Sequence, residues 1–218
     1  MKVFLDTADM KMIKKYVQLG IIDGVTTNPT HLSKEKEKPE KIIKELVKIV
    51  PGDISVEITE KSADKVYLQA QKISKIAKNI VVKIPCHADY YEIIKKLVKE
   101  KIQINITLVF SLAQALFMCK LGVKYISPFI GRLDDIGADG TQLLYEIRDM
   151  IDNYGYSTQI IAASIRSIDR FNEAIMAIAD VATIPSDVFE KSLQHPLTDS
   201  GMEKFLSDWK KTGIKQFP

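Results

Sequence analysis

A lysine stands in the middle of the apolar run IVVKIP (80–85). A run that is apolar at consecutive positions reads as a strand buried on both faces. An ammonium pressed into such a strand costs several kcal/mol unless it is paired, solvated or neutral. Desolvation favours the neutral amine. A neutral amine attacks carbonyls, giving a Schiff base that serves as an electron sink for carbon–carbon cleavage. Lys83 is therefore the first candidate catalytic group. Carboxylates are needed beside it to move protons, and Glu57 in DISVEI and Asp6 in KVFLD are the candidates.

Other polar residues fall at the ends of apolar runs. Asn28 closes GVTTN, and Asn105 and Thr107 sit two apart in QINITLVF, as do Ser127 and Phe129 in VKYISPFIG. Residues two apart on a strand share a face. Ser164 and Arg166 follow the run TQIIAAS, and Arg132 lies in GRLDD. Two guanidiniums and a hydroxyl at one place make a phosphate clamp, because each guanidinium can bind an oxyanion bidentately. Each residue also has a bland reading. Asp6 could cap a helix, Asn105 and Thr107 could satisfy backbone groups, and Glu57 with Lys83 could be a buried ion pair. Arg132 could be surface charge bridged by Asp134 and Asp135. What favours function is that seven successive runs carry such residues at their ends. The eighth, DVATIP, brings no obvious polar group.

Those residues need a scaffold that brings the ends together. Eight short apolar runs recur along the chain, each followed by a helical pattern, and no low-complexity linker divides it. Asp89 with Glu92, and Ser111 with Gln114, fit capping boxes; Ser62, Ser167 and Ser186 fit helix N-caps. Strands alternating with helices predict parallel pairing inside a helical layer. Eight units in 218 residues predict one (β/α)8 barrel domain over 1–218, small for that fold. A doubly wound open sheet is the competitor, but its G-x-G-x-x-G turn is missing. A ninth helix, TDSGMEKFLSDWKK, follows the last unit, with Phe205, Leu206 and Trp209 as its apolar stripe.

Composition excludes other classes. A net charge of +3 is too mild for a nucleic-acid binder, and the densest charge run, KEKEKPEK (34–41), alternates in sign as a solvated loop does. No window approaches about 18 apolar residues, so no membrane span is expected. His31, His87 and His195, like Cys86 and Cys119, lack metal-ligand spacing, so no metal is expected. Cys86 and His87 are adjacent, and adjacent side chains seldom face each other as a nucleophile and its base must. Two cysteines without a secretory pattern point to a reducing, cytoplasmic setting.

The segments FLDTAD, GVTTNPT, VVKIP, NITLVF, SPFIGRLDD and ASIR, in this order, resemble the transaldolase family in its short microbial branch. The resemblance runs essentially from end to end. It implies a (β/α)8 barrel with a Schiff-base lysine and neither metal nor organic cofactor. It assigns Lys83 to the Schiff base, Asp6 to the base acting on a substrate hydroxyl, and Glu57 to a carboxylate working through a water shared with Thr107. Asn28, Asn105 and Ser127 are implied as substrate contacts, and Arg132, Ser164 and Arg166 as the phosphate set. A homo-oligomer, pentamer or decamer, with the last helix reaching a neighbour, is implied too. The implied reaction moves a dihydroxyacetone unit from sedoheptulose 7-phosphate or fructose 6-phosphate to glyceraldehyde 3-phosphate or erythrose 4-phosphate, within the non-oxidative pentose phosphate pathway. Fructose-6-phosphate aldolases of the same family are the alternative. They carry glutamine, tyrosine and lysine where this chain has Glu57, Phe129 and Arg166. A barrel that binds sugar phosphates without turning them over is the third reading.

Overall fold

Each apolar run becomes a strand: β1 (Lys2–Asp6), β2 (Gly24–Thr26), β3 (Ile54–Glu57), β4 (Ile80–Pro85), β5 (Ile104–Val109), β6 (Tyr125–Pro128), β7 (Gln159–Ala162) and β8 (Val181–Ile184). In this computed structural model, which describes residues 1–215, the eight strands close into a parallel barrel in chain order. The last residues of the expected domain, 216–218, lie outside the described ones. β1 pairs with β8 through Lys2↔Val181 to Leu5↔Ile184, which seals the barrel and rules out the open sheet.

Helices fill the connections. They are α1 (Met10–Gln18), α2 (Pro29–Leu32), α3 (Pro39–Ile49), α4 (Ala63–Ser74), α5 (Tyr91–Lys99), α6 (Leu112–Leu121), α7 (Ile130–Asp134), α8 (Gly140–Tyr154), α9 (Ile168–Met176), α10 (Ser186–Ser192) and α11 (Pro196–Lys211). Ser111 and Ser167 cap as expected, their hydroxyls accepting from the N–H of Gln114 and Arg170, each at 3.2 Å. Of the three other expected caps, two need correction. Ser62 holds the N-cap position of α4, but its side chain accepts no cap hydrogen bond. Ser186 is the first residue of α10, and Pro185 precedes it as the cap. Asp89 lies inside a 3-10 turn (Ala88–Tyr90) begun by His87, and that turn delays the start of α5 to Tyr91. α11 is the predicted ninth helix, and Phe205 and Leu206 lie exposed on it. No described helix is long and apolar enough to cross a membrane.

The core has two parts. The larger lies between barrel and helices, where the outward residues of the strands meet the apolar helix faces. The smaller is a plug of Phe4, Val81, Tyr125, Ile161 and Val181, all almost fully buried. Side chains alternate across a strand with period two. Two residues beyond each plug residue, the same interior therefore receives Asp6, Lys83, Ser127, Ala163 and Thr183. The apolar plug is the floor on which the polar cluster stands. Gly24, paired with Phe4 in the β1–β2 register, makes room for this floor. A Cβ there would lie 2.5 Å from the Phe4 ring and 2.5 Å from the Asp53 carbonyl oxygen.

Candidate active site

Lys83 comes from the fourth position of β4 and is 5% exposed. It is the register partner of Glu57, the last residue of β3. Its Nζ lies 3.1 Å from Glu57 Oε2 and donates to the Thr27 carbonyl at 3.3 Å. On its other flank Lys83 pairs in register with Asn105 of β5. Asn105 is held at both ends of its amide: its Nδ2 donates to Ser55 Oγ at 2.9 Å, and its Oδ1 accepts from Ser127 Oγ at 2.7 Å. That chain of bonds fixes which way the amide points. Two residues further along β5, the buried Thr107 hydroxyl has no hydrogen-bond partner among the described residues. A buried polar atom of that kind is costly and marks a place where a polar ligand or water is wanted.

Asp6 ends β1. Its Oδ1 accepts from Thr26 Oγ1 at 2.9 Å, and Thr26 Oγ1 lies 2.6 Å from Thr183 Oγ1. Thr183 is the polar contribution of β8, so the eighth strand does supply a group, contrary to expectation. A threonine inside VATIP reads as an ordinary β-branched strand residue, and only the alternation from Val181 points it inward. Thr26 and Ser55 are inconspicuous in the sequence for the same reason. Asn28 does not end its strand, which stops at Thr26; it is the N-cap of α2, with Oδ1 accepting from the His31 N–H at 2.9 Å.

The loops after β6 and β7 form the opposite rim. Phe129 follows β6 and makes an isolated bridge to Ala163. The Arg132 guanidinium stacks over the Phe129 ring at 5.1 Å, a cation–π contact. Asp134 and Asp135 do not bridge Arg132, as the bland reading of that residue would have it. Asp135 pairs with Arg166, and Asp134 with Arg170 at 2.9 Å, because α7 turns both carboxylates toward the segment after β7. Gly131 allows this close approach: a Cβ on it would meet the Ser164 carbonyl oxygen at 2.3 Å. Ser164 itself holds a left-handed backbone, φ 61°, as does Leu108 in β5, φ 58°. Such strain costs about 1–3 kcal/mol and gathers at functional sites.

These elements enclose two cavities, of about 230 and 360 Å³, which share Asn28, Lys83, Phe129 and Arg132. The first adds Asp6, Asn105, Ser127, Ser164 and Arg166; the second adds Glu57 and Thr107. Every catalytic, substrate or phosphate candidate named from the sequence thus lines this mouth, at the carboxyl ends of the strands. His31 lines it too and was not expected there. Cys86 stands apart from it, half-buried with Sγ 4.0 Å from the Tyr91 hydroxyl, and burial pushes its thiol up, away from reactivity. No trio of His, Cys, Asp and Glu among the described residues is placed to hold a metal ion.

A buried amine against a carboxylate, with acceptors, donors and two guanidiniums around one opening, is equipped for imine chemistry on a phosphorylated carbonyl compound. The sequence pattern described as transaldolase/fructose-6-phosphate aldolase matches residues 3–217. The chain belongs to that family. Curated relatives include a probable transaldolase of Lactiplantibacillus plantarum, 50% identical over 210 residues that make up 96% of this chain and 97% of the relative. A probable transaldolase of Caulobacter vibrioides is 49% identical over 213 residues, 98% of each chain. One from Nitrosopumilus maritimus is 46% identical over 212 residues, 97% of this chain and 96% of the relative. A family that joins transferases to aldolases leaves the choice between them to individual side chains of this mouth.

Proposed function

We propose that this chain is a transaldolase, which transfers a dihydroxyacetone unit between aldose phosphates through an imine on Lys83. The observation that carries the reading is the Lys83–Glu57 pair, buried at the mouth that Asp6, Arg132 and Arg166 also line. The Lys83 amine adds to the C2 carbonyl of a ketose phosphate. Glu57 then supplies a proton, relayed by a water held at the Thr107 hydroxyl, and the carbinolamine oxygen leaves as water. Asp6 takes the proton of the C4 hydroxyl, and the C3–C4 electron pair moves into the imine. An aldose phosphate departs, and a three-carbon enamine stays on Lys83. Attack of that enamine on a second aldose phosphate runs these steps in reverse.

The phosphate sits on the end of the ketose that leaves, so donor and acceptor use one clamp. Arg132, Ser164 and Arg166 are assigned to it, and Asn28, Asn105 and Ser127 to the hydroxyls of the three-carbon unit. Asp135, paired with Arg166, gives way to the phosphate. Sedoheptulose 7-phosphate with glyceraldehyde 3-phosphate, or fructose 6-phosphate with erythrose 4-phosphate, are the substrate pairs. The enzyme needs no cofactor and works in the cytoplasm. It is one barrel domain that assembles as a pentamer or decamer. That assembly is supported by Leu197, Phe205 and Leu206, exposed on α11, and light scattering would test it.

The deciding experiment is a coupled assay with each donor, with and without an aldose phosphate acceptor. Product formation that depends on the acceptor supports the transferase. Free dihydroxyacetone released from fructose 6-phosphate as fast as transfer would make the enzyme an aldolase, and no turnover would leave only a binding barrel.

A further inference from the structure

His31 lies against two residues of the site, and the reaction above gives it no task. It sits in the first turn of α2, where its backbone N–H donates to Asn28 Oδ1 at 2.9 Å. That cap uses the amide oxygen and turns Asn28 Nδ2 toward His31 Nδ1, 3.2 Å away. The same Nδ1 lies 3.5 Å from Asp6 Oδ1. His31 and Asp6 are both mostly buried, with side chains 24% and 21% exposed. The other charged groups around the cavity that His31 lines are Glu57 from β3, Lys83 from β4 and Arg132 from α7.

One ring nitrogen therefore faces two neighbours with opposite demands. An amide nitrogen only donates, and an ionised carboxylate only accepts. With Nδ1 bare and the proton on Nε2, the ring accepts from Asn28 and adds no donor to Asp6 Oδ1, which keeps only the Thr26 hydroxyl. With Nδ1 protonated, the ring donates to Asp6 and sets an N–H against the N–H of Asn28. Both contacts cannot be satisfied together.

We propose that His31 is a positioning residue whose protonation state sets Asp6 and Asn28 together. Neutral, it holds the Asn28 amide toward the substrate and leaves Asp6 free as a base. Once a proton from solvent is bound at Nδ1, it ties up Asp6 and releases Asn28, so the site loses its base and a substrate contact in one event. The proposal rests on the transaldolase reading, because it takes Asp6 to be the base.

Nitrogen-15 NMR of labelled full-length protein tests the tautomer without substrate. The His31 signals, assigned by their loss in His31→Gln, are expected at high pH to show a protonated Nε2 and a bare Nδ1. A neutral ring protonated on Nδ1 overturns the proposal. The second measurement is the pH profile of kcat and KM. His31→Leu is expected to lower kcat by about 10-fold, the worth of one aligned hydrogen bond in the transition state. His31→Gln, whose amide oxygen can accept from Asn28 but does not titrate, recovers most of that loss and shows a shallower fall of kcat towards pH 5.5 than the wild type. An acid limb as steep in His31→Gln as in the wild type also overturns it. Because the tautomer is read without turnover, a wild-type protein inactive in transfer counts against the proposed function alone.

Discussion

Glu57 and Lys83 are register partners on adjacent parallel strands, and the ends of their side chains meet at 3.1 Å in a pair that is 16% and 6% exposed. Parallel neighbours in register point to the same side of the sheet, so the barrel itself, not a loop, holds the pair. A site held by strands is more rigid than one held by loops. Trapping chemistry tests the role we assign to it. Borohydride in the presence of fructose 6-phosphate is expected to label the peptide containing Lys83, and Lys83→Ala to abolish both label and activity. Glu57→Gln keeps the shape but cannot carry a proton, and is expected to lower kcat by roughly 100- to 10,000-fold. Mass spectrometry that finds the label on another lysine refutes the assignment.

The clamp makes a different demand. On the proposed reading, Arg132→Ala and Arg166→Ala each remove charge-assisted hydrogen bonds to the phosphate, worth about 1.5–3 kcal/mol. Use of phosphorylated substrates, measured as kcat/KM, is expected to fall by roughly 10- to 150-fold at that magnitude. Unphosphorylated analogues should be used almost as before. Asp135→Asn removes the carboxylate that competes for Arg166, and is expected to strengthen inhibition by inorganic phosphate. Equal losses on both substrate types would mean that the arginines serve the fold.

Below the site, Gly24 and Phe4 share the floor. Gly24→Ala places a methyl 2.5 Å from the Phe4 ring and from a backbone oxygen that cannot step aside. Overpacking of this kind costs about 1–3 kcal/mol, and Phe4→Ala, which empties the floor, about 3–5 kcal/mol. Urea unfolding monitored by circular dichroism would measure both. An unchanged midpoint for Gly24→Ala would mean that the floor yields.

Much of this arrangement was legible in the sequence. Strands buried on both faces appear as unbroken apolar runs, and a polar residue at the end of such a run has few reasons to be there unless it faces the mouth. Lys83, Glu57 and Asn105 were visible because they break an apolar pattern. Thr183, Thr26 and Ser55 were not, because hydroxyl residues are common in strands and break nothing. His31 was hidden for another reason: a four-residue helix leaves no periodicity, and only the Asn28 cap brings the ring back onto Asp6. The pairing of Asp135 with Arg166 depends on Gly131 letting α7 approach the segment after β7, a contact that no spacing encodes.

At the amino-terminal end of the barrel, Tyr125 donates to Asp53 Oδ2 at 2.7 Å beneath the plug. Burial first, and then the hydrogen bond to Asp53, raise its phenol well above the ordinary tyrosine value. The folded state therefore keeps its proton where the unfolded chain would release it. Its contribution to stability is complete below the unfolded value near pH 10. Above that pH it is lost at about 1.4 kcal/mol per pH unit, until the folded phenol itself ionises. Tyr125→Phe removes the titration while Asp53 keeps Lys124 at 2.6 Å. The variant is expected to lose stability less steeply above pH 10 than the wild type. Parallel alkaline limbs in chemical denaturation would show that other groups set that boundary.

Transfer and simple cleavage differ in the fate of the three-carbon enamine. Cleavage requires that water protonate it and then release it from the lysine; transfer requires that it wait for an aldehyde. The ring of Phe129 lines both cavities and carries the Arg132 guanidinium on its face, so it stands where a water would have to be held. It has no hydroxyl with which to hold one. Phe129→Tyr adds a donor and acceptor at that position, and is expected to raise the release of free dihydroxyacetone from fructose 6-phosphate while transfer to an acceptor falls. The partition ratio between the two products, measured in one vessel at saturating acceptor, isolates the change from any general loss of activity. A ratio that does not move in Phe129→Tyr would mean that water is excluded by something other than this ring, and the transferase assignment would then rest on Glu57 and Arg166.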